Sequence, residues 1–165
     1  MSHAEPSVLF VCLGNICRSP LAEAAFGDEA RRLGLQVEVD SAGTGDWHIG
    51  RPPDPRAIAV ALRNGADISG LRARQVSPDD FRRFDHIVAL DRENLADLLR
   101  MRPPNGSASV SLLLDHVEGR SGQAVADPYY GHDTHFDAAW ADVAAGARGL
   151  ARALLAKRDG AAPSQ

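Results

Sequence analysis

Apolar runs alternate with segments of helical periodicity along most of the chain, and this alternation limits the possible folds more than any other feature. The first run, residues 8–12, is apolar at every position, as expected for a strand that is covered on both faces. Further strand candidates follow at residues 37–40, 86–90 and 109–114. Strands and helices in this order predict an α/β fold, in which a four-stranded parallel, Rossmann-like sheet has helices on both faces.

Four segments carry the helical pattern. They cover residues 20–33, 54–65, 92–100 and about 136–157. We expect Ser19 to cap the first helix with Pro20 in its first position, and Asp54 to cap the second. Gly34 and Gly65 follow the ends of these two helices. In the last segment the apolar residues form one stripe that faces a core; they are Phe136, Trp140, Val143, Ala147, Leu150 and Leu154.

The composition is typical of one globular domain and argues against several functional classes. The chain has 165 residues and a formal charge of −4, which gives no electrostatic footprint for nucleic acid. We expect a single domain over residues 1–158 and a flexible tail over 159–165. No apolar run has the length of a signal sequence or a membrane span. Because two cysteines five residues apart cannot stabilise the fold through a disulfide, we expect a reducing, cytoplasmic setting. We also expect a monomer by default.

The first strand brings Cys12 to the carboxyl edge of the sheet, where ligands bind in folds of this kind. Five residues separate Cys12 from Arg18, a spacing that is weakly specific by itself but here joins a buried strand to a helix. In that context the backbone N–H groups of residues 13–18 converge beside the positive end of a helix dipole. Gly14 lets the turn tighten, and Asn15 tolerates left-handed dihedrals.

These features predict an anion-binding loop with a nucleophilic cysteine at its floor. Arg18 offers a planar fork for two phosphate oxygens, and Ser19 can donate to the sulfur of Cys12. The helix N-terminus and the arginine favour the thiolate form of that sulfur. The residues proposed to bind phosphate are Leu13, Gly14, Asn15, Ile16, Cys17 and Arg18.

The residues alone leave alternatives for this loop. Cys12 could be a small, inert core residue. Cys17 is either inert or a redox partner that forms a reversible disulfide with Cys12 under peroxide. A nucleotide P-loop is excluded, because that motif needs a lysine and none lies nearby.

Asp127, in "VADPYYGHD", is a candidate general acid, because the leaving oxygen of a phosphate ester departs far better when it is protonated. Pro128 restricts the backbone after it and so limits where the carboxyl points, although an Asp-Pro pair by itself is usually only a turn. An aromatic substrate would need a slot with flat walls. The candidate lining of that slot is Leu13, Ile16, Trp47, Tyr129 and Tyr130, with His48 at the rim.

"VLFVCLGNICRSPLAEA" resembles the signature of low-molecular-weight protein tyrosine phosphatases, and the resemblance continues in "DSAGTGDWHIGRPPDPRA", "ARQ", "FDHIVALDRENL" and "DPYYG". It implies the phosphotyrosine phosphatase I-like fold, no metal or other cofactor, and phosphotyrosine-containing proteins as substrates. It also implies a phosphocysteine on Cys12, with Arg18 holding the phosphate and Asp127 acting as general acid and base. Asn15, Ser19 and Ser41 would support the loop.

The resemblance has two further consequences. Many family members have a histidine two residues before "ARQ", where this chain has Leu71, so the loop is expected to have a thinner support. Related arginine-phosphate phosphatases have a threonine where this chain has Ile16, which favours phosphotyrosine.

Specific residues argue against three other functions. A metal site at His132, Asp133 and His135 needs at least one more ligand. Arsenate reduction on the same fold needs further cysteines, and none follows Cys17. A phosphate-binding module without turnover has no use for the candidate acid, Asp127.

Overall fold

The computed structural model describes residues 5–160, and its centre is the parallel sheet that the sequence predicts. The strands are β1 (Ser7–Cys12), β2 (Glu38–Gly43), β3 (His86–Ala89) and β4 (Ser109–Leu112), in the spatial order β2-β1-β3-β4. All neighbouring strands are parallel. Because β1 lies inside the sheet, every residue of it is buried and its last residue, Cys12, ends at the carboxyl edge.

Helices cover both faces of this sheet, as predicted. They are α1 (Arg18–Arg32), α2 (Pro55–Arg63), α3 (Asp80–Arg83), α4 (Arg92–Met101) and α5 (Asp133–Arg158), with a 3₁₀ turn at Leu113–His116. Alternate β1 residues enter two separate cores. Val8 and Phe10 pack with α1 and α5, whereas Leu9 and Val11 pack in the cluster that includes Phe81 and Leu98. In residues 5–160, no helix is both long and apolar enough to cross a membrane.

Several local predictions hold. The Asp54 carboxylate accepts from the backbone N–H of Arg56 and caps α2. Gly34 and Gly65 both have positive φ, at 69° and 86°, as their positions after α1 and α2 require. The predicted stripe of α5 is buried apart from Trp140, which packs half-buried against the same core.

Other boundaries were wrong. Ser19 is not a cap, because α1 begins at Arg18 and the Ser19 hydroxyl contacts the Cys12 sulfur. The fourth strand ends at Leu112, and the next two leucines enter the 3₁₀ turn, where they are buried under α5. Strand β2 continues to Gly43, α5 begins at Asp133, and the short helix α3 has no counterpart in the sequence prediction. Residues 161–165 of the expected tail lie outside the described residues, and the domain limits stay a prediction.

Candidate active site

The loop between β1 and α1 is held by the side chain of Asn15. Asn15 has a left-handed φ of 59°, the one such value outside glycine among residues 5–160, so the turn depends on this residue rather than on Gly14. Its Nδ2 donates to the Oγ atoms of Ser19 at 2.8 Å and Ser41 at 3.0 Å. Its Oδ1 accepts from the backbone N–H of Arg74 at 2.9 Å. A buried amide with all three of these bonds holds the loop in one conformation.

The Cys12 sulfur lies at the bottom of this loop and is only 3% exposed. It accepts from the backbone N–H of Asn15 at 3.3 Å, and it lies 3.0 Å from the Ser19 hydroxyl oxygen. The end of β2 packs closely behind the loop, where a Cβ on Gly43 would lie 2.7 Å from the carbonyl oxygen of Leu13. Glycine at position 43 therefore allows the approach that brings Ser41 within reach of Asn15.

Arg18 is 3% exposed and is oriented by two hydrogen-bond acceptors and a nearby carboxylate. Its Nη1 donates to Asp91 Oδ2 at 2.8 Å and to the carbonyl oxygen of Val125 at 2.9 Å, and its Nη2 lies 3.5 Å from Asp127 Oδ2. Burial by itself lowers the pKa of Arg18, but the negative charge of Cys12 and the bond to Asp91 outweigh it, so the pKa is raised. The guanidinium is a permanent cation beside the sulfur.

Asp91 is a site residue that the sequence analysis missed. It follows β3 at the same carboxyl edge as Cys12, and its other oxygen accepts from the backbone N–H of Asn94 to cap α4. The signal was present, because an acidic residue directly after a buried strand lies at the functional edge of a parallel sheet. Arg74 was missed likewise. It lies within the "ARQ" segment, and besides bonding Asn15 it pairs with both oxygens of Asp80.

The cavity above Cys12 has a volume of about 410 Å³ and brings the predicted pocket residues together. Trp47 is 67% exposed, so it is a rim residue and not part of the core. Tyr129 and Tyr130 form an edge-to-face pair with ring centroids 4.9 Å apart, and His48 lies against Gly14. The lining consists of Cys12, Leu13, Gly14, Ile16, Cys17, Arg18, Trp47, His48, Asp127, Tyr129 and Tyr130.

Asp127 lies at the opening of this cavity, on the segment between the 3₁₀ turn and α5. Its side chain is 41% exposed, and its Oδ1 accepts from the backbone N–H of Tyr129 at 3.1 Å. The other oxygen points toward Arg18. This geometry leaves the carboxyl open to solvent on one side and to a bound ligand on the other.

Cys17 lines the cavity but its sulfur is in a different environment. It is 5% exposed, and burial, with a smaller effect of the Asp54 charge, raises the pKa of its thiol far above the usual range. Both cysteines are free thiols. Of the two, Cys12 alone receives the hydrogen bonds described above.

A chain of polar groups continues behind the loop to a second cavity. Ser41 Oγ donates to Glu23 Oε1 at 2.7 Å, and burial is the main reason that the pKa of Glu23 is raised to about 7. Glu23 and Leu71 both line a groove of about 610 Å³ between α1 and β2. Although larger than the cavity at Cys12, this groove holds no nucleophile. Leu71 lies in the same groove as Glu23, whose carboxylate ends this chain of polar groups.

The histidines after the acid segment do not converge on a cation. The backbone N–H of His132 donates to Nδ1 of His135 at 2.8 Å, and the two rings pack with centroids 5.7 Å apart. Across residues 5–160, no group of three or more His, Cys, Asp or Glu side chains is arranged to hold a metal ion.

Comparison with known proteins identifies the family of the chain. The family profile described as low molecular weight phosphotyrosine protein phosphatase matches residues 7–160. The Schizosaccharomyces pombe protein of that name is 46% identical over 132 residues, covering 78% of this chain and 84% of its own. The low molecular weight protein-tyrosine-phosphatase YfkJ from Bacillus subtilis is 48% identical over 126 residues, covering 75% and 81%.

Solved structures agree in fold. The crystal structure of YfkJ has a TM-score of 0.88 to this chain at 40% identity and covers 96% of this chain and 99% of its own. A Drosophila arginine phosphatase has a TM-score of 0.84 at 31% identity and covers 89% and 96%. Fold and relatives together define a phosphatase, and its loop between β1 and α1 carries both Cys12 and Arg18. The chain belongs to the low molecular weight phosphotyrosine protein phosphatase family and is a hydrolase.

Proposed function

We propose that this phosphatase transfers the phosphoryl group of phosphotyrosine to the sulfur of Cys12 and then to water, without a metal ion or other cofactor. The observation that carries the proposal is the arrangement at Cys12: a buried sulfur with two hydrogen-bond donors within reach, facing a guanidinium across one cavity. Substrates are phosphotyrosine-containing proteins. The enzyme works in the cytoplasm as a monomer, a setting that suits its two free cysteines.

In the first step the thiolate attacks phosphorus, the S–P bond forms and the ester P–O bond breaks. Arg18 binds two of the three equatorial oxygens, which carry the negative charge, and the loop N–H groups bind the third and share the other two. Asp127, at the opening of the cavity, gives its proton to the departing phenolate oxygen. Ser19 stabilises the sulfur charge before the attack.

In the second step water hydrolyses the phosphocysteine. Asp127 is now ionised and takes a proton from the attacking water, while the S–P bond breaks and the electron pair returns to Cys12. The Ser19 hydroxyl, 3.0 Å from the sulfur, stabilises the thiolate as it leaves. Phosphate departs and the enzyme regains its starting state.

The choice of phosphotyrosine rests on the shape of the cavity. Its lining includes the aromatic rings of Trp47, Tyr129 and Tyr130 and the aliphatic side chains of Leu13 and Ile16, which can pack against a planar ring. Phosphoarginine is the second candidate, because a structural relative is an arginine phosphatase. Ile16 disfavours it, since an aliphatic side chain offers no hydrogen bond to a guanidinium.

Hydrolysis of p-nitrophenyl phosphate in the presence of a chelator tests the proposal. We expect full activity in the wild type and none in Cys12→Ser, with competitive inhibition by phosphate and vanadate. Cys17→Ser is the matched control, because it makes the same chemical change on the same loop and leaves the proposed nucleophile in place. Activity that survives in Cys12→Ser, or that needs a divalent ion, contradicts the mechanism. Parallel assays on phosphotyrosine and phosphoarginine peptides distinguish the two substrate classes.

A further inference from the structure

The segment that carries Asp127 has few attachments of its own near the acid. Within residues 127–131, the backbone N–H of Tyr129 bonds Asp127, and the N–H of Gly131 bonds the carbonyl of Pro128 at 2.8 Å. Both bonds are local and shape the turn without fixing its distance from Cys12. From the catalytic loop, Arg18 Nη2 lies 3.5 Å from Asp127 Oδ2, a contact too long to fix that distance by itself. A general acid must lie within hydrogen-bond reach of the leaving oxygen, so this distance needs another determinant.

One side chain from a different element hydrogen-bonds the backbone of this segment directly. Arg56, in the first turn of α2, donates through Nη2 to the carbonyl oxygen of Tyr129 at 2.9 Å and through Nη1 to that of Gly131 at 3.2 Å. Its guanidinium also lies 4.5 Å from the ring centroid of Phe136, the first buried residue of α5. Arg56 therefore contacts the acid segment at two carbonyls and the helix that follows it.

Arg56 is itself held from the side of the catalytic loop. Its Nε and Nη2 bond the two oxygens of Asp54 at 3.1 and 3.0 Å. Asp54 is 9% exposed, and its backbone N–H donates to the carbonyl oxygen of Ile16 at 2.8 Å. A continuous path of hydrogen bonds thus runs from the phosphate-binding loop through Asp54 and Arg56 to the acid segment. A planar guanidinium that is bidentate to a carboxylate has little freedom to rotate.

We propose that Arg56 is a positioning residue that sets the reach of Asp127 to the leaving group by tying the acid segment to the catalytic loop. The inference rests on the function proposed above, in which Asp127 donates the proton. Arg56 does not touch the phosphate or the phenol. Its loss would let the 127–131 segment move away from the sulfur while the anion-binding loop stays intact.

The consequence is specific to leaving groups. The first chemical step needs the acid more when the departing phenol is more basic, so kcat/KM for phenyl phosphate depends on Asp127 more than kcat/KM for p-nitrophenyl phosphate. In Arg56→Gln we expect the phenyl phosphate value to fall by about 10-fold more than the p-nitrophenyl value. The inhibition constant of inorganic phosphate should stay within about 2-fold of the wild type, because it reports the loop and not the acid.

The matched control is Arg63→Gln. Arg63 is on the same helix, two turns after Arg56, and also reaches α5, where it pairs with Asp137 at 2.7 Å. The pair is half exposed, and its partner belongs to α5 and not to the acid segment. Arg63→Gln should not change how kcat/KM depends on the leaving group. Arg56→Lys, which keeps the charge and loses the bidentate fork, should lie between Arg56→Gln and the wild type, and it replaces Arg56→Gln if that variant does not fold.

Asp127→Asn completes the test. Combined with Asp127→Asn, Arg56→Gln should have no additional effect on the leaving-group dependence, because no acid remains to position. The inference is overturned if Arg56→Gln lowers kcat/KM equally for every substrate, or if its dependence of kcat/KM on the leaving group is identical to that of Arg63→Gln. A wild-type leaving-group dependence in Asp127→Asn overturns instead the acid role in the proposed function, so the two failures are distinguishable.

Discussion

Replacement of Asn15 by alanine removes the side chain that holds the catalytic loop, and the size of the effect follows from its contacts. Three hydrogen bonds disappear, to Ser19, Ser41 and the backbone N–H of Arg74. At about 1 kcal/mol net for each bond, the loss is about 3 kcal/mol. Alanine at a φ of 59° adds ~1 kcal/mol, because its Cβ is less tolerated in the left-handed region than asparagine.

Glycine at the same position separates these two contributions. Asn15→Gly loses the same three hydrogen bonds but adopts a positive φ freely. Urea unfolding should therefore give a free energy of unfolding about 4 kcal/mol below the wild type for Asn15→Ala and about 3 kcal/mol below it for Asn15→Gly. Since this energy acts on the loop conformation, kcat/KM for p-nitrophenyl phosphate should fall by up to roughly 100-fold in both variants.

Asn64→Ala is the control for asparagine removal as such. The Nδ2 atom of Asn64 bonds the carbonyl oxygen of Val60 at the exposed end of α2, and its loss should cost about 1 kcal/mol at most, with no change in activity. If Asn15→Gly is as stable and as active as the wild type, backbone geometry alone holds the loop and the hydrogen-bond argument is refuted. If Asn15→Ala is the more stable of the two variants, the argument from left-handed φ is refuted.

Three further predictions concern the surroundings of the loop. The pKa of Glu23 is raised from 4.5 to about 7 in the folded protein. Because the unfolded chain therefore loses this proton at a lower pH than the folded protein, the free energy of unfolding of the wild type should fall by up to about 3 kcal/mol as the pH rises from about 4.5 to 7. Urea midpoints of Glu23→Gln should lack this slope; a parallel slope in the variant would assign the pH dependence to other groups. Peroxide should inactivate the wild type in a way that dithiothreitol reverses, whereas Cys17→Ser should be inactivated irreversibly at Cys12, and equal recovery would rule out a protective disulfide. Leu71→His should leave turnover unchanged or raise it, and a clear loss counts against the alignment of this position with the family.

The sheet and the order of its elements could be predicted because the apolar patterns behind them are local. Residues 8–12 could be identified as a buried strand from five letters, and the caps at Asp54 and Gly65 depend on their immediate neighbours. The Ser19 prediction failed for a tertiary reason. Serine near the start of a helix is a common N-cap residue, but the Ser19 hydroxyl instead contacts the sulfur of Cys12, seven residues earlier.

The residues that the sequence analysis missed share one property: their partners are distant in sequence. Asp91 lies 73 residues from Arg18, and the Arg56 contacts to Tyr129 and Gly131 span 73 and 75. Each also has an ordinary local explanation, since Asp91 caps a helix and Arg56 pairs with Asp54 two residues away. Local patterns account for such residues without revealing their second contact. By contrast, Cys12 and Arg18 lie on one loop, so their spacing could indicate the site.

The account depends on covalent transfer to one sulfur, and acid quenching during turnover tests it most directly. The wild type is mixed with p-nitrophenyl phosphate, quenched within milliseconds, digested and examined by mass spectrometry. We expect one phosphorylated peptide, with the phosphate on Cys12, that disappears when the substrate is exhausted and is absent from Cys12→Ser. Phosphate on any other residue, or turnover at the normal rate with no phosphorylated peptide at any quench time, would contradict the account.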